Sequence, residues 1–250
     1  MKRDVGLRVP ASCRPKNARG REKTFLSESI EEYVEGIYRL EKEYDAVGTG
    51  EISRYMNVAP ASVTTMLKKL NNLKLVEHTP YHGVKCTPKG EALAIELLRR
   101  HRLIERLLVD FLGLPWDGVH DLACKLEHYI STDVAGRLSA ALGHPKTCPH
   151  GNPVDEGEDD GSQSLWDSVM DQTYTILKIT NEREDYLTYL KNLGLLPGTQ
   201  IYLKERTPFG DVMSFEILPE GRPVSIGREV AIGVWAIPLC DSAVSDPHHK

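Results

Sequence analysis

The chain has 250 residues, 40% of them hydrophobic, which suits two or three small cores better than one large one. The formal net charge of -5 argues against a uniformly basic nucleic-acid binder, and five scattered cysteines with no C-x-x-C pair exclude a disulfide framework and a Cys-rich zinc module. No apolar run approaches the roughly 20 residues of a membrane span, and the basic start MKRDVGLRVPASCRPKNARGREK has no apolar core behind it, so a soluble cytoplasmic protein without a membrane partner is expected.

The average charge hides uneven segments. Residues 1–24 carry eight Lys/Arg against two acids and read as a disordered basic tail. SESIEEYVEGIYRLEKEYD then sets Ile30, Tyr33, Val34, Ile37 and Leu40 at helical spacing, with Ser27 or Ser29 available as N-cap. Ser29-x-x-Glu32 fits a capping box, in which Glu32 would bond back to Ser29. GTGEISRYMNVAPASVTTMLKKLNNLKLVEH reads as a short helix, a turn around Val58, Ala59 and Pro60, and a second helix with Val63, Leu67 and Leu70 facing in, which is a helix-turn-helix. VEHTPYHGVKCTPKG follows as two short strands joined at Tyr81, His82 and Gly83, a β-hairpin wing. Residues 25–90 are therefore expected to form a winged DNA-binding domain. Ala61, Ser62, Thr64 and Thr65 would face base edges or thymine methyls, and Lys68, Lys69 and Lys85, with Tyr81 and His82 at the wing tip, would face the phosphate backbone. Locally the stretch 60–89 is basic, with five lysines against one glutamate.

Residues 91–146 read as helical. One long helix from Glu91 to Leu114 would turn Leu97, Ile104, Leu108 and Phe111 inward, and His101 falls between Leu97 and Ile104 in the same stripe. A break at Trp116, Asp117 and Gly118 is followed by a helix running toward Leu142. Its opening stretch, HDLACKLEH, puts Cys124, Glu127 and His128 at i, i+3 and i+4, with His120 one turn earlier, all of them metal-ligand types on about a 100° arc. Leu122, Leu126 and Ile130 lie on the opposite side, so the same face also reads as the solvated side of an amphipathic helix. HPKTCPHGNPVDEGEDDGSQS is a Pro/Gly/acidic linker too polar to pack, with the linker proper expected at 147–170. Beyond it TILKIT, TQIYLKERT, VMSFEIL, RPVSIG and AIGVWAIPL are five strand-like runs interrupted by one short helix, EREDYLTYLKNLGLLPG, which suggests a small closed barrel over 171–240.

These motifs in this order, EEYVEGIYRLE, a winged helix, RRHRLIERLL, VHDLACKLEH, PHGNP and a terminal barrel, resemble the diphtheria-toxin-repressor family of metal-dependent transcriptional regulators. The resemblance implies an α+β chain with an N-terminal winged helix-turn-helix, an α-helical dimerisation domain and a C-terminal small SH3-like β-barrel related to ferrous-iron-transport protein A. It implies a homodimer that Mn(II) or Fe(II) activates to bind a palindromic DNA operator, with no small-molecule substrate. Two metal sites per subunit are implied: a primary one on Glu32, Cys124, Glu127 and His128, and an ancillary one on His101, Glu105 and His120. The barrel's ligand-bearing turn falls near TNEREDYLTYL, where the matching positions Arg183 and Tyr186 are poor ligands and Glu182, Glu184 or Asp185 would substitute. The iron-sensing branch commonly has a methionine at the place of Glu32, and manganese-sensing members often replace the cysteine kept here as Cys124. The donor set is thus a hybrid, and the carboxylate tilts the expectation to Mn(II). The chain has no H-E-x-x-H, G-x-S-x-G, phosphate-cradling glycine loop or deaminase P-C-x-x-C, so catalysis is not expected. A winged-helix regulator that ignores metal and uses the 120–128 face for structure is the alternative.

Overall fold

The computed structural model describes residues 26–42, 44–79, 83–157, 160–208 and 210–239. The basic stretch 1–24 and the wing-tip residues Tyr81 and His82 lie outside them.

Helix α1 (Glu28–Leu40) buries Ile30, Val34, Ile37 and Leu40 as the period of the sequence predicts. Its N-cap is Ser27, which makes no side-chain capping bond, so Ser29 lies inside the helix and the expected Ser29–Glu32 capping box does not form. Helices α2 (Thr49–Tyr55) and α3 (Pro60–Asn72) make the helix-turn-helix, with Pro60 at the first turn of α3, where its missing N–H costs nothing. Val63, Leu67 and Leu70 are fully buried and join α1 in one cluster with Ile52, Leu75, Val76 and Val84. Strands β1 (Val76–Thr79) and β2 (Gly83–Cys86) pair antiparallel, and Val47 docks on Val84 beside them.

Helix α4 (Pro88–Arg106) is capped by Thr87, whose hydroxyl accepts from the Gly90 N–H, and it spans from the core of the winged unit to the helical unit. The single long helix expected to Leu114 ends sooner: a π-helical turn at Leu107–Phe111 rotates the last residues, and Phe111, expected inward, is 66% exposed. The following helix is likewise two, α5 (His120–Glu127) and α6 (Thr132–Ala141), because Ser131 starts a fresh cap on the Val134 N–H.

The C-terminal unit is a six-stranded antiparallel sheet in the order β3-β8-β4-β5-β6-β7, one strand more than expected. The strands are β3 (Gln163–Ser164), β4 (Thr173–Ile179), β5 (Gln200–Arg206), β6 (Val212–Ile217), β7 (Arg222–Gly227) and β8 (Val234–Pro238). Among the described residues no ladder joins β7 to β3, so hydrogen bonds do not close the barrel. Instead the short helix α8 (Arg228–Gly233), formed by part of the run AIGVWAIPL, packs on both edge strands. Helix α7 (Glu184–Leu193) covers the core of Tyr174, Ile176, Leu190, Ile201 and Phe215.

The segment expected to be an unpacked linker is largely packed. Cys148, His150, Asn152, Val154 and Leu165 are buried, because its polar groups find partners: His150 bonds the Trp116 carbonyl and Asn152 bonds the Ile179 carbonyl. Gly151 has φ +88°, and a Cβ there would lie 2.1 Å from the Leu177 carbonyl oxygen. Only glycine lets this loop lie flat on β4.

Candidate metal centre

Helix α4 aims His101 and Glu105, one turn apart, at α5, and α5 answers with His120, Cys124 and Glu127, with His128 as its C-cap. The orientation of α5 is the reverse of a solvated ligand face. Glu127 is 3% exposed whereas Leu122 and Leu126 are 39% and 38% exposed, so the polar side is turned inward and the apolar side outward. Burying that side is tolerable because its groups pair: His101 Nδ1 lies 2.7 Å from Glu127 and its Nε2 3.0 Å from Glu105. His120 Nδ1 lies 3.1 Å from His101 Nε2, and its Nε2 3.6 Å from the Cys124 sulfur.

The loop before the sheet adds Cys148 and His150, which sequence reading missed, to Glu105 and Glu182, which it named. Glu105, Cys148, His150 and Glu182 are all buried, and one donor atom of each lies within 4.8 Å of the others. His150 Nε2 is 2.9 Å from the Trp116 carbonyl oxygen, which can only accept, so Nε2 carries a proton. Its Nδ1 then faces two carboxylates, Glu105 at 3.3 Å and Glu182 at 3.7 Å, an arrangement that requires a proton or a metal cation between them. The second oxygen of Glu105 is buried with no hydrogen-bond partner among the described residues. An unpartnered carboxylate oxygen in a buried cluster with a thiol, an imidazole and a second carboxylate fits a divalent cation. Asn152 donates to Glu182 at 2.8 Å and fixes its direction, the kind of support that metal ligands receive from their neighbours.

His101, Glu105, His120 and Glu182 form another close set, as do His101, His120 and Cys124. His101 and His120 thus stand in both groupings, while Glu127 and His128 of the expected primary site fall in none of these close sets. Of the barrel candidates, Glu182 reaches the centre, while Glu184 and Asp185 are exposed in the first turn of α7 and Asp185 pairs with Arg183. Neither belongs to any of the close donor sets. On the α1 side the carboxylate that meets His128 is Glu31, at 2.7 Å from Nδ1, not Glu32. Glu32 is exposed and lines an open recess with Glu28, Asp121, Cys124 and His128. Glu35, one turn on, lies against Glu127 and His101.

The charges explain themselves. Burial, with the charge of Glu35 behind it, lifts the Glu127 carboxyl to about 7 in spite of His101. Burial by itself would push His101, His120 and His150 down, but the carboxylates and thiols around them prevail and hold all three up, His120 at about 9. Glu105 is held well below the usual carboxylate range, its burial outweighed by His101, and Glu182 is held at about 2, burial and Glu105 being outweighed by His150 and Arg39. The Cys124 thiol, raised by burial, is lowered overall by its bonds to His101 and His120, which favours thiolate. In the metal-free protein, His120 stabilises the fold fully below its ordinary 6.5 and loses that contribution as pH rises through about 9. Glu127 acts in the same direction, from 4.5 through about 7, and Glu182 acts oppositely, losing its contribution as pH falls from 4.5 through about 2. Thermal melting in chelator is thus expected to be highest near pH 5 and lower by about 2 kcal/mol at pH 9. A melting temperature that rises from pH 5 to 9 contradicts this charge assignment.

Of the residues expected to face DNA, Ala61, Ser62, Thr64, Thr65, Lys68 and Lys69 on α3 are exposed, as is Lys85 on β2. The Thr64 and Thr65 hydroxyls bond the carbonyls of Pro60 and Ala61 at 3.0 Å.

Comparison with known proteins agrees with this architecture. The iron dependent repressor N-terminal DNA binding domain matches residues 25–84, the iron dependent repressor metal binding and dimerisation domain residues 87–156, and the FeoA domain residues 170–237. The iron-dependent repressor IdeR of Mycobacterium tuberculosis is 31% identical over 225 residues, covering 84% of this chain and 96% of its own. The diphtheria toxin repressor of Corynebacterium efficiens is 30% identical over 190 residues, 70% of this chain and 83% of its own. A manganese-dependent transcriptional repressor solved in complex with manganese superposes with a TM-score of 0.78 at 29% identity, covering 84% of this chain and all of that one.

Proposed function

Because the chain belongs to the iron-dependent repressor family, whose members are metal-dependent transcriptional repressors, we propose that it is a homodimer that reads a palindromic DNA operator only when a divalent metal is held between α1, the helical unit and the barrel. The observation that carries this reading is the double duty of α1. One of its faces, Ile30, Val34 and Ile37, is core of the DNA-reading unit, and another offers Glu31 to His128 and Glu35 to Glu127.

Two donor sets are proposed. Cys124, Glu127 and His128 with Glu31, Glu32 or Glu35 hold the first, and Glu105, Cys148, His150 and Glu182 hold the second, with His101 and His120 between them. When bound, the cation supplies the positive charge that replaces the protons on these rings and joins side chains from separate elements. Glu31 and Glu35 then stay on α5, which sets α3 at a defined distance from its dimer mate and suits half-sites one helical turn apart or a multiple of it. Four glutamates against two thiols favour Mn(II) over softer ions, with Fe(II) the next best fit.

The test is DNA affinity of the purified protein for a palindromic duplex selected from random sequence, titrated with Mn(II) and with Fe(II) under anaerobic conditions and repeated in chelator. Binding on the order of 50-fold tighter with Mn(II) is expected. Equal affinity in chelator rejects metal control and leaves the winged helix as a metal-independent reader.

A further inference from the structure

We propose that Arg39 is the positioning residue through which the barrel-side donor set acts on the DNA-reading unit. This rests on the metal-controlled reading above. Arg39 leaves α1 on the side away from the reader's core, and its guanidinium holds a carboxylate on either side: Nε lies 2.9 Å from Glu35 and Nη1 3.5 Å from Glu182. Glu35 lies against Glu127 of α5, in the first donor set. Glu182 belongs to the second, and its two oxygens are shared among three parts of the chain: Asn152 donates to one at 2.8 Å, while the other faces His120 at 3.4 Å as well as Arg39.

The other links from α1 to this region end elsewhere. Tyr38 and, just past the helix, Lys42 both reach Glu156, which lies outside both donor sets, and Lys42 is 59% exposed. Among the described residues Arg39 is thus the α1 side chain that touches a barrel ligand. Its planar fork spans two carboxylates in a fixed geometry, which a lysine ammonium does not do. A carboxylate oxygen has two lone pairs, so Glu182 can keep Arg39 while ligating a cation, and Arg39 then orients it as an outer partner. Without the guanidinium, Glu35 beside Glu127 and Glu182 beside Glu105 are like charges lacking their shared counter-ion, and nothing ties the position of α1 to Glu182.

The experiment is a double-mutant cycle on four full-length proteins: the natural chain, Arg39→Gln, His150→Ala and the pair. Free Mn(II) followed by electron paramagnetic resonance reports uptake, and anisotropy of a duplex selected from random sequence in Mn(II) reports DNA affinity at saturating metal. Arg39→Gln is expected to weaken DNA binding about tenfold while still taking up Mn(II). In the His150→Ala background, where the barrel-side set is already broken, the same replacement is expected to change affinity by less than about twofold. Additive losses overturn the proposal, because a merely structural arginine costs the same in both backgrounds. If the natural chain takes up no Mn(II), the metal-controlled reading falls and this proposal with it; uptake with additive losses removes the Arg39 coupling alone. Should Arg39→Gln lose its cooperative melting transition, Arg39→Lys replaces it in the cycle and the same non-additivity is required.

Discussion

Replacing Glu105 by glutamine is expected to reduce Mn(II) uptake from two ions per chain to one and to destabilise the metal-free protein by about 3 kcal/mol. Glu105 is fully buried, and one of its oxygens faces His101 at 3.0 Å, His150 at 3.3 Å and His120 at 3.7 Å. Glutamine has nearly the same volume, so the change removes charge and little packing. In chelator it leaves three protonated imidazoles short of an anion in a desolvated centre, and removing one partner of a buried charge network is the costly case. In metal it replaces a ligand by a weak amide donor. The destabilisation is expected to shrink from pH 6 to pH 9, because His120 gives up its proton through about 9 and then no longer needs the carboxylate. Urea unfolding in chelator at the two pH values, with Mn(II) uptake by paramagnetic resonance, checks both parts. Unchanged unfolding together with two ions bound contradicts the hub role of Glu105.

Leu126→Asp is expected to convert the proposed dimer to a monomer and to weaken binding to its proposed operator by about 100-fold or more, with little change in monomer stability. Leu122 and Leu126 share the outward face of α5, Tyr129 follows them at 75% exposure, and Phe111 and Leu112 in the preceding turn are 66% and 62% exposed. Large apolar groups exposed on two successive helical segments are the kind of surface an interface uses, and a self-complementary patch closes as a two-fold dimer. Because Leu126 is already 38% exposed in the single chain, a carboxylate there meets water in the monomer and is buried unpaired only in the dimer. Sedimentation velocity with and without Mn(II) reads the oligomeric state. A dimer of undiminished affinity would place the interface elsewhere.

The local architecture was legible because it repeats. Ile30, Val34 and Ile37, then Val63, Leu67 and Leu70, are all buried as their helical period predicts. His101 points inward because it stands in an apolar stripe, and Cys124, Glu127 and His128 adjoin because they are one turn apart. The same arithmetic does not say which side of α5 meets the interior, since an apolar stripe packs equally well inside its own chain or against a second copy. Nor does it choose among Glu31, Glu32 and Glu35, which crowd one stretch of α1. The barrel acid that reaches the cluster is one of three neighbouring acids, and Cys148 and His150 do not stand out in the sequence because Pro149, Gly151 and the acids after them read as solvent-facing linker. Two ligand types at i and i+2, ahead of a glycine, were the signal available there.

The sequence by itself thus determined the winged reader, the helical unit, the sheet-rich end and the ligand types on α4 and α5, since each depends on side chains a few positions apart. Only the tertiary structure decided the metal centre as a whole. Glu31 meets His128 across 97 positions, and Glu182 meets Asn152 across 30. Such meetings depend on how separate elements pack and on which buried charges find partners, and no local period encodes that.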